Sequence, residues 1–308
     1  MLTRFPASRR ALRHCSLTLS LLAGVSLAAH ADDRVIDTAY GKVTVSGTPG
    51  HVVALDEQAV DTVLAVGAKP AGALATRGAE GVSNYLKDRA EGVPIVGTSR
   101  EINLEAVLAA QPDLILAGAR LDKTMYDKLS QIAPTIVPTS SLAQWKDSVM
   151  TYATAMNKAD EAQQALQQID TRIAALKPKM PAGATVSVVR WMPQGALVMS
   201  SHLIVGETLQ ALGLKTTALS DSLVKKPHSD ILSLENLSQV DGDWMFLATL
   251  NEKGKEALDN ARQQPAFQRL KAAQSNHVVA VDGQVWSSGS GILAANRLLD
   301  DLEQNLAN

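Results

Sequence analysis

Arginine and tryptophan are the residues of this chain whose types and placing suggest chemistry. Aromatic residues make up only 4% of the sequence, so the positions of its four tryptophans carry information. Arg190 and Trp191 directly follow a strand expected at Val186–Val189. A guanidinium at a strand end can hold a carboxylate or a chelating oxygen through two parallel hydrogen bonds, or can simply stack on the neighbouring indole at the surface. Trp145 opens a helical stretch, and Trp286 lies in a loop ahead of Ser287-Ser288-Gly289-Ser290-Gly291. These three tryptophans fall where a cleft rim would be, whereas Trp244 starts an apolar strand and is expected in the core. The Ser/Gly run offers free amides to an anion, or else a helix cap.

Other chemistry finds little support. Past the N-terminal segment the histidines are His51, His202, His228 and His277, widely separated and without the spacing of a metal-binding helix. No metal site and no cofactor is expected. A haem would need an axial ligand, for which Tyr85, Tyr126 or His202 is available. There is no nucleophile elbow, phosphate loop or dinucleotide fingerprint, which leaves an exported hydrolase as a remote reading and a non-enzyme as the expected one.

The elements that must hold these residues follow from hydrophobic periodicity. Strands are expected at Val52–Leu55, Ala71–Leu74, Pro94–Val96, Leu114–Ala117 and Thr135–Val137, alternating with helices capped by Asp56, Asn103 and Asp122. The second half repeats this style, with strands at Val186–Val189, Leu197–Met199, Trp244–Ala248 and Val278–Val281. Between the halves, Gln144 to Lys177 contains neither Gly nor Pro and reads as one long helix, or two joined near Asn157–Asp160. The halves also resemble each other. In each, a glutamate (Glu105, Glu235) precedes by eight residues an aspartate (Asp113, Asp243) that leads into a buried strand. Leu64-Ala65-Val66-Gly67 is echoed by Leu209-Gln210-Ala211-Leu212-Gly213.

Composition bounds the rest. The chain has 308 residues, 46% hydrophobic and 19% charged, with a formal charge of −2 that gives no case for nucleic acid. Arg4, Arg9, Arg10 and Arg13, the apolar run Leu17–Ala29 and the small-x-small sequence Ala29-His30-Ala31 read as a cleavable export signal, with a weak twin-arginine pattern. Removing its four arginines from 29 basic residues leaves 25 against 31 acids, a charge of −6, and takes away the lone Cys15. The expected organisation is a signal peptide at 1–31, an N-terminal lobe at 32–143, a linker helix at 144–180 and a C-terminal lobe at 181–308. The fold class is α/β, two Rossmann-like lobes joined by a single long backbone helix.

The ordered segments Val52-Val53-Ala54-Leu55-Asp56, Leu64-Ala65-Val66-Gly67-Ala68, Asn103-Leu104-Glu105, Pro112-Asp113-Leu114-Ile115-Leu116, Gln131-Ile132-Ala133-Pro134-Thr135 and Ser233-Leu234-Glu235 resemble the periplasmic substrate-binding proteins of ABC importers for iron–siderophore, haem and vitamin B12. The siderophore branch fits best. The resemblance implies capture of a ferric siderophore between two lobes by a periplasmic monomer, and delivery to an inner-membrane permease dimer with its ATPase. A haem or corrinoid binder is the alternative. It also implies ligand contacts for Arg77, Tyr85, Arg100 (or its neighbour Ser99) and Arg120 in cleft-facing loops, beside Trp145, Arg190, Trp191 and Trp286. Glu105 and Glu235 match the acidic residues that pair with arginines of the permease.

Overall fold

The computed structural model describes residues 1–3, 33–139 and 144–307, so nearly all of the expected export signal lies outside the described residues. A hairpin of β1 (Arg34–Thr38) and β2 (Gly41–Val45) precedes two separate sheets. The first is built from β3 (Val52–Leu55), α1 (Glu57–Ala65), β4 (Gly72–Ala75), β5 (Ile95–Thr98), α2 (Leu104–Ala109), β6 (Leu114–Ala117), α3 (Lys123–Ser130) and β7 (Thr135–Ile136). All its strands are parallel, in the order β5-β4-β3-β6-β7. Asp56, Asn103 and Asp122 cap α1, α2 and α3 as expected, each accepting a backbone N–H from the first turn.

Two helices follow, α4 (Trp145–Ala155) and α5 (Ala159–Leu176). Of the two readings of this stretch, the pair of helices joined near Asn157–Asp160 is the one observed, and the single long helix is corrected accordingly. Asn157 takes a left-handed φ of +59° and ends the first, a conformation that asparagine tolerates better than most residues. Its side chain donates to Thr48 Oγ1 at 2.9 Å, which ties the break to the segment before β3.

The second sheet uses β8 (Val186–Met192), β9 (Gly195–Val198), β10 (Trp244–Thr249) and β11 (Val278–Asp282) in the order β11-β10-β8-β9. β8, β10 and β11 are parallel, and β9 folds back antiparallel on β8. Its helices are α6 (Ile204–Ala211), α7 (Ala218–Ser222), α8 (Glu252–Arg262), α9 (Pro265–Gln268), α10 (Lys271–Gln274), α11 (Gly283–Trp286) and α12 (Ile292–Leu306). The segment after Ser233 forms a 3-10 helix over Leu234–Val240, and Ser233 makes no side-chain cap bond, unlike Asn103 at the matching place in the first half.

The internal repeat has a physical basis. Asp113, just before β6, accepts the backbone N–H groups of Gly50 and His51 at 2.7 and 2.9 Å, ahead of β3. Asp243, just before β10, accepts that of Thr185 at 2.8 Å, ahead of β8. Each aspartate thus satisfies amides that the sheet ladder leaves unpaired at the start of its central strand. Gly67 and Gly213, at φ +77° and +84°, terminate α1 and α6 in the same way.

One apolar core joins the inner faces of both sheets: Ala54 and Leu116 from the first, Val188 and Phe246 from the second, with α4, α5 and α12 between. Separate clusters cover the outer face of each sheet. Among the described residues no helix is long and apolar enough to cross a membrane.

Candidate functional site

In a doubly wound parallel sheet the strand order reverses at one point, and a crevice opens there beyond the carboxyl ends of the strands. Here the reversal lies between β3 and β6, because β4 and β5 extend one side and β6 and β7 the other. A cleft of about 930 Å³ opens at this place. Leu55–Gln58 after β3 and Gly118–Asp122 after β6 form its floor on the first sheet. α4 closes it with Trp145, Ser148 and Tyr152, and the second half contributes Leu203–Val205, Lys225, Pro227 and Trp286–Ser290.

Arg77, Arg100 and Arg120 all line this cleft, from the loops after β4, β5 and β6. So does Ser99, the other residue considered beside Arg100. Two lysines that the sequence did not single out join them: Lys128 on α3, and Lys225 in the loop following α7. Among the described residues none of these five cations has a carboxylate within ion-pair distance. Carboxylates also line the cleft, but three of the four are already engaged. Asp56 caps α1, Asp122 caps α3, and Glu57 accepts the Thr76 hydroxyl and the Arg77 N–H. Burial raises the Asp56 carboxyl above its ordinary pKa, and the adjacent Glu57 charge raises it further. Ser288 Oγ, buried on the cleft wall without a hydrogen-bond partner, is a further donor that the sequence missed. The Ser/Gly run does not cap α12 with a side chain; Gly291 stands at the cap position.

Arg190 and Trp191 require a correction. β8 continues past Val189 to Met192, so both residues sit inside the strand rather than after it. Side chains alternate along a strand, and Trp191 therefore points to the outer face of the sheet. It packs there edge-on against Phe267, with ring centroids 6.2 Å apart, and does not line the cleft. Arg190 lies on the inner face with Val186 and Val188 and is 5% exposed. It is not on the cleft wall either, yet its Nε lacks a hydrogen-bond partner and the charges acting on it are Arg77 and Glu57 of the first half. Burial first, and then the Arg77 charge, pull its pKa below the usual guanidinium value. Such a group costs stability, since a desolvated cation without an ion pair gains little in return. Replacing it by an uncharged side chain of similar length, Arg190→Met, should raise stability by about 1 kcal/mol. For a domain of this size that is a rise of about 2–4 °C in melting temperature, read by differential scanning calorimetry; a fall of the same size would show that the guanidinium stabilises the fold.

The remaining aromatic candidates are structural. The Tyr85 hydroxyl donates to Asp61 Oδ2 at 3.1 Å, away from the cleft. Trp145 and Trp286 do reach the cleft, but they are only 6% and 1% exposed. Trp286 stacks on Phe246 at 4.4 Å and donates its Nε1–H to Asp301 at 2.8 Å, and the Trp145 indole is hydrogen-bonded to Glu207 on α6. The axial-ligand candidates for a haem also lie elsewhere. Tyr126 stacks on Tyr40 and His202 is hydrogen-bonded to the Asp221 carbonyl. No group of three His, Cys, Asp or Glu side chains able to hold a metal ion occurs among the described residues.

Glu105 and Glu235 are exposed in the first turns of α2 and of the 3-10 helix, and neither is in an ion pair among the described residues. Two α/β halves thus enclose a cleft whose lining among the described residues includes five cations and four carboxylates. Residues 52–285 match the family model described as periplasmic binding protein. The chain is 34% identical over 269 residues to a probable siderophore-binding lipoprotein of Bacillus subtilis, covering 84% of this chain and 83% of the relative. It is 32% identical to an Fe(3+)-citrate-binding protein of the same organism, over 90% and 87% of the two chains. Among solved structures, Staphylococcus aureus SirA complexed with staphyloferrin B superposes with a TM-score of 0.78 at 26% identity, covering 88% of this chain and 98% of that one. The chain belongs to the periplasmic binding protein family.

Proposed function

We propose that this protein captures a ferric siderophore in the cleft beyond the carboxyl ends of β3 and β6 and presents it to an inner-membrane ABC permease. It acts as a monomeric, non-enzymatic binder in the periplasm, reached through the cleavable N-terminal signal. The observation that carries the reading is the set of five cations that, among the described residues, have no ion-pair partner in a cleft of about 930 Å³. A ferric siderophore already saturates its iron with oxygen donors, so its binder needs no metal ligands and instead needs cationic hydrogen-bond donors for an anionic shell. The relatives named above, whose descriptions specify siderophores or ferric citrate, support the same assignment. Glu105 and Glu235 serve as the acidic contacts to the permease, one from each half.

The test is a fluorescence titration of the mature chain with ferric siderophores, haem, cobalamin and free metal ions. Trp145 and Trp286 border the cleft, so a bound ferric chelate should quench their emission saturably while free iron does not. Saturable binding of haem or cobalamin alone, with no response to any ferric chelate, would overturn the assignment.

A further inference from the structure

Given that the cleft holds a ferric chelate, its lining narrows the chemical class of that chelate. Elsewhere among the described residues cations are mixed in this respect: Lys42, Lys123, Lys146, Lys158, Arg172 and Lys271 each contact a carboxylate, whereas Lys69, Lys87, Arg89 and Arg269 do not. What sets Arg77, Arg100, Arg120, Lys128 and Lys225 apart is that five cations without an ion pair among the described residues gather around one cavity. Clustered like charges repel, and low-dielectric walls concentrate their field on whatever enters. A buried hydroxyl without a partner, that of Ser288, adds a neutral donor to the same wall.

Aromatic surface shows the opposite pattern. The three aromatic side chains on the cleft wall, Trp145, Tyr152 and Trp286, are at most 6% exposed. One face of Trp286 is covered by Phe246, and the Tyr152 hydroxyl is committed to the Ala117 carbonyl at 2.9 Å. Among the described residues the cleft thus presents cationic donors, aliphatic side chains and four carboxylates, of which Asp56, Glu57 and Asp122 already accept hydrogen bonds, and no open ring face on which an aryl group could stack.

We propose that the ligand is a ferric complex of the hydroxycarboxylate type, with carboxylate oxygens on its outer surface and the three loop arginines as their main partners. Each class of chelate differs in what it shows to the protein. A trihydroxamate complex is neutral and leaves the cluster of cations uncompensated. A tris-catecholate carries negative charge but surrounds it with aryl rings, which this cleft has no flat wall to receive. A hydroxycarboxylate chelate is anionic and keeps free or singly coordinated carboxylate oxygens at its periphery, which suit the planar fork of a guanidinium.

The test is isothermal titration of the mature chain with three probes: ferric citrate with citrate in large excess, a ferric tris-catecholate and a neutral ferric trihydroxamate. Ferric citrate should bind about 100-fold more tightly than either of the others, as expected when charged groups lose matched partners. Its affinity should fall about tenfold between roughly 0.05 and 0.5 M salt. In the double variant Arg100→Gln/Arg120→Gln, at two exposed positions, ferric citrate affinity should drop about 30-fold at an unchanged melting temperature; Lys128→Gln/Lys225→Gln provides an independent second variant with a smaller loss. Tighter binding of the tris-catecholate or the trihydroxamate, or full citrate affinity in both variants, overturns the hydroxycarboxylate assignment while leaving the ferric-chelate function standing. Binding of haem or cobalamin to the exclusion of all three probes overturns both.

Discussion

Reversing two exposed charges, Glu105→Lys together with Glu235→Lys, is expected to reduce siderophore-dependent iron uptake to background while leaving ligand affinity within about twofold of the parent. Both glutamates project into solvent from the first turn of a helical segment, and neither is in an ion pair among the described residues. Each stands eight residues ahead of an aspartate, Asp113 or Asp243, that pins the start of the central strand of its own sheet. The two carboxylates therefore stand at corresponding places in the two halves. Leu108 on α2 and Leu234 beside Glu235 are exposed apolar side chains near each charge. Rim charges steer encounter and fix register, so a single reversal should cost uptake about tenfold and the pair should remove it. Uptake assays in a strain dependent on this chain, paired with calorimetric titration of the purified variants, separate the two effects. Loss of ligand affinity would place these residues in the cleft, and undiminished uptake would remove their docking role.

How far the sequence revealed this arrangement depends on which physical signal each residue carries. Val52–Leu55 and Leu114–Ala117 were found with their ends intact, because continuous apolar runs between caps and turns mark strands buried on both faces. The loops after β4, β5 and β6 follow from that periodicity, but it was the family resemblance that pointed to Arg77, Arg100 and Arg120 within them, and all three line the cleft. Arg190 and Trp191 were misplaced by three residues of strand. A signal was present, since Pro193-Gln194-Gly195 is the first turn sequence after Val186, and β8 runs up to it. Ending the strand at the last aliphatic residue instead put both side chains at a rim, whereas strict alternation sends them to opposite faces. Lys128 and Lys225 carry no local signal, because exposed lysines are common and only tertiary folding gathers these two with the arginines. The tryptophans misled for a related reason. Trp145 and Trp286 sit beside the cleft as expected, but their polar edges are taken by Glu207 and Asp301, and their bulk belongs to the shared core.

Asp61 had no place in the sequence reading, and its removal is expected to be the most damaging single change in the fold. It lies on α1 among Val60, Val63 and Leu64 and is fully buried. Oδ1 accepts the backbone N–H of Leu293 at 2.9 Å, while Oδ2 accepts that of Ala294 at 2.8 Å and the Tyr85 hydroxyl at 3.1 Å. The carboxyl thus caps α12 from another part of the chain, satisfying amides that a helix N-terminus otherwise leaves without partners. Asp61→Ala removes the acceptor of three donors at once, the buried Ala294 N–H and the part-buried Leu293 N–H and Tyr85 hydroxyl, at about 1–3 kcal/mol each in the absence of rearrangement, and partial relaxation brings the expected loss to about 4 kcal/mol. For a domain of this size the melting temperature should fall by about 8–16 °C. The site also has a signature in pH. Burial outweighs the three donors and raises the Asp61 pKa from 3.8 to about 7, so the native state retains a proton that the unfolded chain releases earlier. The corresponding stability is fully present below the unfolded value and is lost as pH rises through about 7. The parent should therefore melt at a higher temperature near the lower end of that window than above it, and Asp61→Ala should flatten this dependence as well as lowering the whole curve. Calorimetric scans across that pH range check both expectations. A melting temperature within 2–4 °C of the parent, less than 1 kcal/mol, would show that α12 keeps its position without the carboxyl cap.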